Sequence, residues 1–376
     1  MCQIEKALFL WYYESIFMIL NKLFSKIIQK SRLSSLRNDI GIDLGTANIL
    51  VYVKGLGVVI NEPSVVAVNN KTDRVVAVGM EAKNMLGRTP QHIRTVRPIV
   101  DGVISDYEIT EEMLAYLIQK ANGMQKKALR PRIVIGIPCE ITNVETRAVY
   151  DAAIAAGASE VYIIEEPIAA AIGAGLNIHE AEGVMIVDSG GGTTDIAVLS
   201  LGGTVKSKSI KLAGDKLTSD IISFIRDEYK MSIGDKTAEK IKMTIGSAMP
   251  IGEIAEAVVK GRDLVTGLPK EILLTDNDVR GAMYQTISYI VESIREVIEN
   301  TPPEILTDVM KNGIVMTGGG AMIKGLDTLI EMQLKLPVKI AEDPLGAVAR
   351  GCGIILDNIE AYESLMIDVE NAAILR

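Results

Sequence analysis

The chain has 376 residues and a formal net charge of −9 at pH 7, and 48% of its residues are hydrophobic. This length allows two or three domains around a large core, whereas the negative charge argues against a general nucleic-acid binder. The three scattered cysteines form no disulfide framework, which fits a reducing cytosol, and with only two histidines they cannot build a zinc site. The P-loop pattern GxxxxGK[ST] does not occur, so an ATP site in this chain would have to be of another kind.

The first 38 residues differ in character from the rest. Apolar residues from Ile16 to Ile28 recur at the spacing of one helix face, and lysines and polar residues occupy the other face. The apolar run Ala7 to Leu20 is shorter than the roughly 20 residues of a membrane span, and no signal-peptide cleavage pattern follows it. We interpret the segment as a basic amphipathic helix on an anionic membrane surface, followed by a linker from Ser31 to Asn38. The alternatives are a helix packed on its own domain, or an extension not made in the cell, with Met18 as the true start.

The stretch that organises the chain runs from Val184 to Leu199. It predicts two buried strands joined by a turn of three glycines and two threonines, Gly190-Gly191-Gly192-Thr193-Thr194. Glycine allows so sharp a turn, and its successive N–H groups form an anion nest that suits a polyphosphate. Asp188 and Asp195 flank the turn and would repel a phosphate unless a cation such as Mg²⁺ lay between them. For this stretch alone, an ordinary glycine-rich hairpin is the alternative.

A second stretch, Asp39 to Val53, repeats this pattern around the turn Asp43-Leu44-Gly45-Thr46. Two phosphate hairpins far apart in sequence indicate two halves of related fold that hold one nucleotide between them. A third glycine cluster, Gly318-Gly319-Gly320, follows an apolar strand and precedes a helix. A helix N-terminus at such a turn favours a phosphate or a polar edge of the ligand.

Several helices are predicted around these turns. The run Glu111 to Met124 has helical spacing and Thr110 as its cap. An alanine-rich helix, Thr146 to Gly157, follows the buried strand Ile133 to Ile137 and therefore faces the ligand crevice of an α/β sheet. A small-residue helix starts within Pro344 to Gly351, and we interpret it as a hinge partner of the alanine-rich helix.

Three charged residues on these helices are candidates for the site. Glu145 lies in the first turns of the alanine-rich helix, where its carboxylate could meet the water at a γ-phosphate; a solvated glutamate favoured by the helix dipole is the alternative. Glu239 and Lys242 are i, i+3 neighbours on one helix face, which suits ribose hydroxyls. A surface ion pair between these two side chains is the commoner explanation.

The ordered motifs resemble the actin/Hsp70/sugar-kinase ATPase superfamily, and within it the MreB/Mbl family of bacterial actin homologues. The resemblance covers Asp39 to about Asp357. The motifs that carry it are Asp43–Asn48, Glu62–Ala67, Gly87–Pro90, Asp101–Ile104, Glu165–Pro167, Gly190–Thr194, Thr301–Glu304 and Thr317–Gly320. Asp195 departs from the glutamate usual in MreB, and Ser189 replaces the usual apolar residue, which leaves its packing open.

The resemblance implies an α/β, actin-like ATPase fold of two domains, each with a large and a small subdomain, that close on Mg-ATP. The implied divisions are an N-terminal extension, 1–38, domain I, 39–158, domain II, 159–342, and a C-terminal segment, 343–376, that returns to domain I. Within domain II the small subdomain is expected at about 206–281.

The resemblance also assigns site residues. Asp43 and Asp188 match the acidic pair that holds Mg²⁺, mainly through waters, and Glu145 and Thr193 are the implied catalytic residues. The implied nucleotide contacts are Gly45, Thr46, Ala47, Asn48, Gly190, Gly191, Gly192, Thr193, Thr194, Gly214, Glu239, Lys242, Gly318, Gly319 and Gly320.

The family implies a function: ATP hydrolysis coupled to self-assembly into filaments that organise cell-wall synthesis and rod shape. The implied location is the cytoplasm, at the inner face of the cytoplasmic membrane, with membrane proteins of cell elongation as further partners and no nucleic acid. Many weak membrane anchors on one filament would add up to strong avidity. The alternatives are a small-molecule kinase of the same fold, an Hsp70-like chaperone, and a nucleotide-binding scaffold with little turnover.

Overall fold

The protein is described from a computed structural model, which covers residues 37–125, 130–250, 252 and 254–369. The amphipathic helix predicted near the N-terminus lies outside the described residues, as do residues 370–376 of the C-terminal segment. None of the helices in the described ranges combines the length and the apolar character needed to cross a membrane.

The strands follow the apolar runs of the sequence. In chain order they are β1 (Ile40–Leu44), β2 (Asn48–Val53), β3 (Gly57–Pro63), β4 (Val66–Asn69), β5 (Arg74–Val78), β6 (Ile93–Val96), β7 (Ile99–Val100), β8 (Val103–Ile104), β9 (Arg132–Ile137), β10 (Glu160–Glu165), β11 (Val184–Ser189), β12 (Thr194–Ser200), β13 (Gly203–Ile210), β14 (Met231–Ser232), β15 (Glu256–Asp263), β16 (Pro269–Thr275), β17 (Ile314–Thr317) and β18 (Val338–Ile340).

The helices connect and cover these strands. In chain order they are α1 (Met80–Met85), α2 (Tyr107–Gln125), α3 (Asn143–Ala155), α4 (Glu166–Gly173), α5 (Gly214–Tyr229), α6 (Asp235–Ile245), α7 (Asp276–Glu299), α8 (Pro303–Asn312), α9 (Leu326–Leu334), α10 (Ala347–Asp357) and α11 (Ile359–Tyr362). Short 3₁₀ turns lie at Gly319–Met322 and Glu363–Leu365.

Two five-stranded sheets share one topology. The first has the order β10-β9-β1-β2-β3 and the second β18-β17-β11-β12-β13. In each sheet three consecutive strands pair antiparallel, and two later strands add in parallel beside the first of them. Both sheets also carry a register shift on the outer antiparallel pair, at Val51/Tyr52 and at Val198/Leu199. The two halves inferred from the repeated hairpins are therefore present as repeated folds.

The core is divided in the same way. One apolar cluster lies on the first sheet and another on the second, and a third surrounds α4 and α10 between them. Every residue of β12 is buried, because both faces of the second sheet are covered. Smaller sheets stand beside these layers, in the orders β5-β4-β6 and β14-β15-β16.

The small-residue helix α10 packs against α4, so the prediction that it partners the alanine-rich helix was wrong. A Cβ added to Gly351 would overlap the carbonyl oxygen of Ala169, and one added to Gly173 would overlap that of Ala347. These glycines allow the backbones of α4 and α10 to touch. The alanine-rich helix α3 instead packs on α2 and β10.

The start of α2 also differs from the prediction. The helix begins at Tyr107, and the carboxylate of Asp106 accepts a hydrogen bond from the N–H of Ile109 at 3.2 Å, which is the geometry of an N-cap. Thr110, predicted as the cap, lies inside the helix, and its hydroxyl donates to the carbonyl of Asp106 at 2.6 Å. Aspartate caps well, so the helix starts at the first suitable residue.

The division into domains stays a prediction, with one correction at its internal boundary. Strand β10, which we assigned to domain II, pairs in parallel with β9 in the first sheet. Helix α10 contacts β1 and β9, so the later part of the chain does return to the first sheet.

Candidate functional site

Three glycine turns meet between the two large sheets. A Cβ added to Gly191 would lie 2.5 Å from Cβ of Ala47, so the turns after β1 and after β11 are in direct contact. A Cβ on Gly318 would collide with the carbonyl of Ser189, so the third turn rests on the end of β11. The predicted residues in or beside these turns are Gly45, Thr46, Ala47, Gly190, Gly191, Gly192, Thr193, Thr194, Gly318, Gly319 and Gly320.

The turn after β11 is held from both sides. Inside it, the N–H of Gly190 donates to the carbonyl of Thr193 at 2.9 Å. Behind it, the first two N–H groups of α5, those of Gly214 and Asp215, donate to the carbonyls of Gly190 and Gly191 at 3.2 and 2.8 Å. Because its own carbonyls are fixed in this way, the position of the turn depends on the N-terminus of α5.

Ser189, whose packing the sequence left open, has a hydrogen-bonding role. Its hydroxyl lies 3.0 Å from the hydroxyl of Thr194, which in turn donates to the carbonyl of Leu212 at 2.8 Å. A Cβ on Gly320 would collide with the Ser189 side chain, so a small residue is required at this point. The serine therefore joins the second and third turns.

Four acidic side chains cluster at the ends of strands β1, β10, β11 and β12. Burial and the charge of Asp188 raise the pKa of Asp43 to about 8. Burial and Asp195 raise the pKa of Asp188 to about 7, although the hydroxyl of Thr317, 2.9 Å from its carboxylate, acts in the opposite direction. Burial, followed by these three aspartates, raises the pKa of Glu166 well above its ordinary value. Such repulsion between buried carboxylates favours a proton or a cation among them.

Asp195 is the most enclosed member of this acidic cluster. Its Oδ1 accepts hydrogen bonds from the N–H and the Sγ of Cys139 at 3.0 and 3.2 Å. Its Oδ2 is buried and has no hydrogen-bond partner among the atoms that the structure describes. A buried carboxylate oxygen in this state is a ready acceptor for a water molecule or a ligand.

Within the described ranges, no three His, Cys, Asp or Glu side chains are arranged to hold a metal ion by themselves.

Glu145 lies in the first turn of α3, where its side chain contacts Thr142. Its carboxylate accepts hydrogen bonds from the N–H and the hydroxyl of Thr142, at 2.8 and 2.6 Å, and its own N–H donates back to that hydroxyl. This reciprocal arrangement is a capping box at the start of α3. The hydrogen bonds from Thr142 lower the pKa of Glu145, and the charge of Lys211, which follows β13, acts in the same direction. These hydrogen bonds fit a first-turn glutamate that stabilises its helix, and the role of Glu145 at the attacking water stays a prediction.

Glu166 is the glutamate that the sequence analysis passed over. It is 7% exposed and begins α4 directly after β10, where it faces Asp43, Asp188 and Asp195. The motif Glu165–Pro167 was named among those that carry the resemblance, but no site role was given to Glu166. A glutamate at the end of a buried parallel strand points to the crevice beyond the carboxyl ends of the sheet, and this argument could have identified Glu166.

Glu239 and Lys242 share a face of α6 but contact different partners, so the pair is not a simple surface salt bridge. The ammonium group of Lys242 donates to the carbonyl of Gly214 at 2.6 Å and to the hydroxyl of Thr218 at 2.9 Å. Burial lowers the pKa of Lys242. Lys242 and Gly214 thus lie beside the turn after β11.

Asn48, another predicted site residue, uses its side chain within the first sheet. Its amide nitrogen donates a hydrogen bond to Oδ1 of Asn61 at 3.1 Å.

Two ion pairs join the two halves across the cleft. Lys83, on α1, lies 3.3 Å from the carboxylate of Glu239 on α6. Arg97, between β6 and β7, lies 2.8 Å from the carboxylate of Asp215 on α5. Neither Lys83 nor Arg97 was a predicted site residue, because an ion pair between distant segments leaves no local pattern in the sequence.

Comparison with known proteins agrees with this architecture. A sequence profile described as MreB/Mbl protein matches residues 37–364. The chain belongs to the MreB/Mbl family. The family and the actin-like fold class predicted from the motifs are therefore confirmed.

Individual relatives cover most of the chain. It is 48% identical to the cell shape-determining protein Mbl of Bacillus subtilis (strain 168), over 86% of this chain and 96% of that protein. It is 47% identical to the cell shape-determining protein MreB of Escherichia coli (strain K12), over 86% and 95% respectively. The crystal structure of MreB5 of Spiroplasma citri bound to ADP superimposes with a TM-score of 0.83, at 42% identity, and covers 87% of this chain and 98% of that one. Family and fold together identify a bacterial actin-like cytoskeletal protein, as the sequence analysis predicted, and the kinase alternative gains no support from these relatives.

Proposed function

We propose that the protein binds Mg-ATP in the cleft between its two halves and hydrolyses it. The observation that carries this proposal is the meeting of the turns after β1 and β11 beside the paired carboxylates of Asp43 and Asp188. Glycine turns of this kind direct backbone N–H groups to phosphate oxygens. The relative MreB5 of Spiroplasma citri, which has been solved with ADP, supports the assignment.

The residues present fit a magnesium ion bound through the nucleotide. Mg²⁺ is usually held by one or two carboxylates together with waters and phosphate oxygens, and Asp43 and Asp188 supply such a pair. Burial and neighbouring carboxylates raise the pKa values of Asp43 and Asp188, and an arrangement of this kind favours a cation beside the two groups. When bound, the ion would supply charge neutralisation at the phosphates.

Glu145, which the resemblance assigns to the attacking water, remains our first candidate for the group that activates water, and Glu166 in the acidic cluster is a second candidate. A water molecule that donates to Glu166 and to Oδ2 of Asp195 would be held at the edge of the phosphate turns. As its oxygen bonds to the γ-phosphorus and the bond to ADP breaks, its proton would pass to the carboxylate of Glu166. This transfer requires the ionised carboxylate of Glu166, which a cation bound beside Asp43 and Asp188 would favour. Thr193, buried in the turn, remains a proposed contact of the phosphates.

The remaining nucleotide contacts follow from the positions of the other predicted residues. Gly318, Gly319 and Gly320 would approach the adenosine, and Glu239 would accept hydrogen bonds from the ribose hydroxyls. Lys242 and Gly214 would act behind the phosphate turn, since the ammonium group already binds the carbonyl of Gly214. The main role of these groups is to position the ligand, as expected for phosphoryl transfer.

The family also supports a proposal about assembly and location. The names of the relatives, cell shape-determining proteins, suggest that this chain polymerises with itself and acts in rod shape and cell-wall synthesis. The basic amphipathic segment predicted within the first 38 residues would attach such filaments to the inner face of the cytoplasmic membrane. Membrane proteins of cell elongation would be the further partners.

Phosphate release tests the catalytic part of the proposal. The full chain should release phosphate from ATP only with Mg²⁺, and Glu166→Gln should reduce the rate on the order of 100-fold while ATP still binds. Glu145→Ala tests the first candidate: it should slow phosphate release strongly while ATP still binds, and loss of the capping box should lower the free energy of unfolding by about 1 kcal/mol. Unchanged turnover in Glu145→Ala would remove Glu145 from this role. Equal turnover in Glu166→Gln and the wild type would reject the role of Glu166. ATP binding without measurable phosphate release by the wild type would favour a scaffold with little turnover.

A further inference from the structure

A short segment of the first half lies between the two phosphate turns. It comprises residues 97–104, here called the strap, and contains the two-stranded hairpin of β7 and β8. At its tip, the N–H of Gly102 donates to the hydroxyl of Thr46 in the first turn at 2.9 Å. A Cβ on Gly192 of the second turn would lie 2.9 Å from Cα of Asp101. The tip of the strap therefore touches both turns.

The backbone of the strap is adapted to this position. Asp101 and Gly102 both have positive φ, 51° and 75°, a conformation that is unfavourable for aspartate. A Cβ on Gly102 would collide with Pro138 and would lie 3.1 Å from Cγ2 of Thr193. So tight a fit means that the tip cannot move without disturbing the turn that contains Thr193.

The base of the strap is fixed to the second half by charge. Nη1 of Arg97 donates to Oδ2 of Asp215 at 2.8 Å, and the N–H of Asp215 donates to the carbonyl of Gly191 at 2.8 Å. Arg97 thus reaches the second phosphate turn through one residue. Burial raises the pKa of Asp215, and Arg97 and then Lys242 are the main groups that oppose the shift. The charged form of Asp215 is therefore stabilised mainly by Arg97 and Lys242.

We propose that Arg97 and Asp215 are positioning residues that hold the strap against the second phosphate turn and so keep the cleft closed on the phosphates of a bound nucleotide. This inference rests on the proposed nucleotide site. Both side chains of the pair are about 40% exposed, and a pair of this exposure contributes modestly. Its loss should raise the population of the open cleft about three-fold and should not unfold the protein.

Hydrogen exchange of the nucleotide-free protein tests the pair without any ligand. In Arg97→Ala, the amides of residues 190–195 should exchange about three-fold faster than in the wild type, because a weaker contact raises the population of the open form. Arg97→Lys, which keeps the charge, should exchange within a factor of two of the wild type. Arg94→Ala is the matched control. Arg94 belongs to the neighbouring strand β6, but its ion-pair partner, at 4.0 Å, is Asp73, which is not a residue of the cleft.

Exchanging the charges of Arg97 and Asp215 tests whether the ion pair itself, rather than the local packing of either side chain, holds the strap in place. The double variant with Arg97→Asp and Asp215→Arg should recover at least half of the lost protection; full recovery is not expected, because an arginine in the first turn of α5 opposes the helix dipole. Release of a fluorescent ATP analogue in the presence of Mg²⁺ should follow the same order, with Arg97→Ala about three-fold faster than the wild type.

The outcomes distinguish this inference from the proposed function. Unchanged exchange at residues 190–195 in Arg97→Ala, or an equal change in Arg94→Ala, would overturn the role of the pair even if the wild type binds the analogue. Failure of the wild type to bind the analogue would overturn the nucleotide site, and with it the role of the strap in holding phosphates. Faster exchange and faster release in Arg97→Ala, with recovery in the double variant, would support both.

Discussion

At the scale of single residues, the candidate site depends on carboxylates that the fold holds in an unfavourable environment. Asp43, Glu166, Asp188 and Asp195 are close together, and burial is the largest cause of the raised pKa in each of them. Placing like charges in a water-poor site destabilises the folded chain unless a cation compensates them. Selection for ligand binding, rather than for stability, explains such a cluster.

This conflict between binding and stability predicts a pH dependence. The pKa of Asp43 is about 8 in the folded chain, against an ordinary value of 3.8. Below both values the group has no effect; as the pH rises from about 4 to about 8, the unfolded chain gives up a proton that the folded chain retains, so the free energy of unfolding falls. Asp43→Asn removes this contribution. Without nucleotide or divalent ions, the free energy of unfolding of the variant should rise relative to that of the wild type by about 3–4 kcal/mol from pH 5 to pH 8.

Urea denaturation in the presence of EDTA at the two pH values measures the effect. Asparagine has nearly the shape of aspartate, so the comparison isolates the charge. If the free energy of unfolding changes equally in the wild type and in Asp43→Asn between pH 5 and pH 8, the carboxylates of the acidic cluster do not repel one another in the folded chain.

At the scale of elements, the crossing of α4 and α10 joins the two halves. The helices touch at Gly351 and Gly173, where any side chain would push the backbones apart. A contact of this kind transmits a rotation of one half directly to the other, since packed interiors do not deform smoothly.

Gly351→Ala should therefore be strongly destabilising. The added Cβ would overlap the carbonyl oxygen of Ala169, a backbone atom that cannot move aside without shifting α4, and we expect a loss of about 3 kcal/mol. Gly281→Ala is the matched control, because Gly281 lies inside α7 with nothing within 4 Å of its would-be Cβ, so alanine should add roughly 0.5–1 kcal/mol. Thermal unfolding of both variants measures the contrast. A Gly351→Ala variant as stable as the wild type would disprove the close crossing.

The same crossing illustrates what a sequence can predict. The hairpins around Gly45 and Gly191 were predicted because a strand, a glycine turn and a second strand are local patterns. The packing partner of α10 was not predicted correctly. Helices α3 and α4 are both rich in alanine, so their sequences do not show which of them packs against α10. Glu145 and Glu166 likewise occupy similar positions, each at the start of a helix after a buried strand. Only the structure distinguishes the carboxylate that closes on Thr142 from the one that faces the aspartates.

At the scale of the whole molecule, two similar halves enclose the proposed nucleotide site, and the predicted N-terminal segment would bring the protein to a membrane. The repeat of sheet order in the two halves places Asp43 and Asp188 at equivalent strand ends. A ligand that engages both ends would favour closure of the halves, because it binds the closed form better.

The N-terminal segment makes a separate prediction. Deletion of residues 1–36 should leave folding and nucleotide binding intact and should strongly reduce co-sedimentation with vesicles that contain anionic lipid, because it removes the predicted apolar face and its lysines. Lys26→Glu with Lys30→Glu should weaken the binding less, because the apolar face remains, and added salt should affect this variant less than the wild type. Undiminished binding of the shortened chain to the vesicles would contradict the membrane role.

The most direct test of the account is calorimetric titration of the full chain with ATP, with and without Mg²⁺, in the wild type and in Asp188→Asn. The account predicts that Mg²⁺ strengthens binding by the wild type at least 10-fold, and that most of this gain is lost in Asp188→Asn, because one of the two paired carboxylates no longer carries charge. Absence of ATP binding in the wild type, or an equal gain from Mg²⁺ in both proteins, would contradict it.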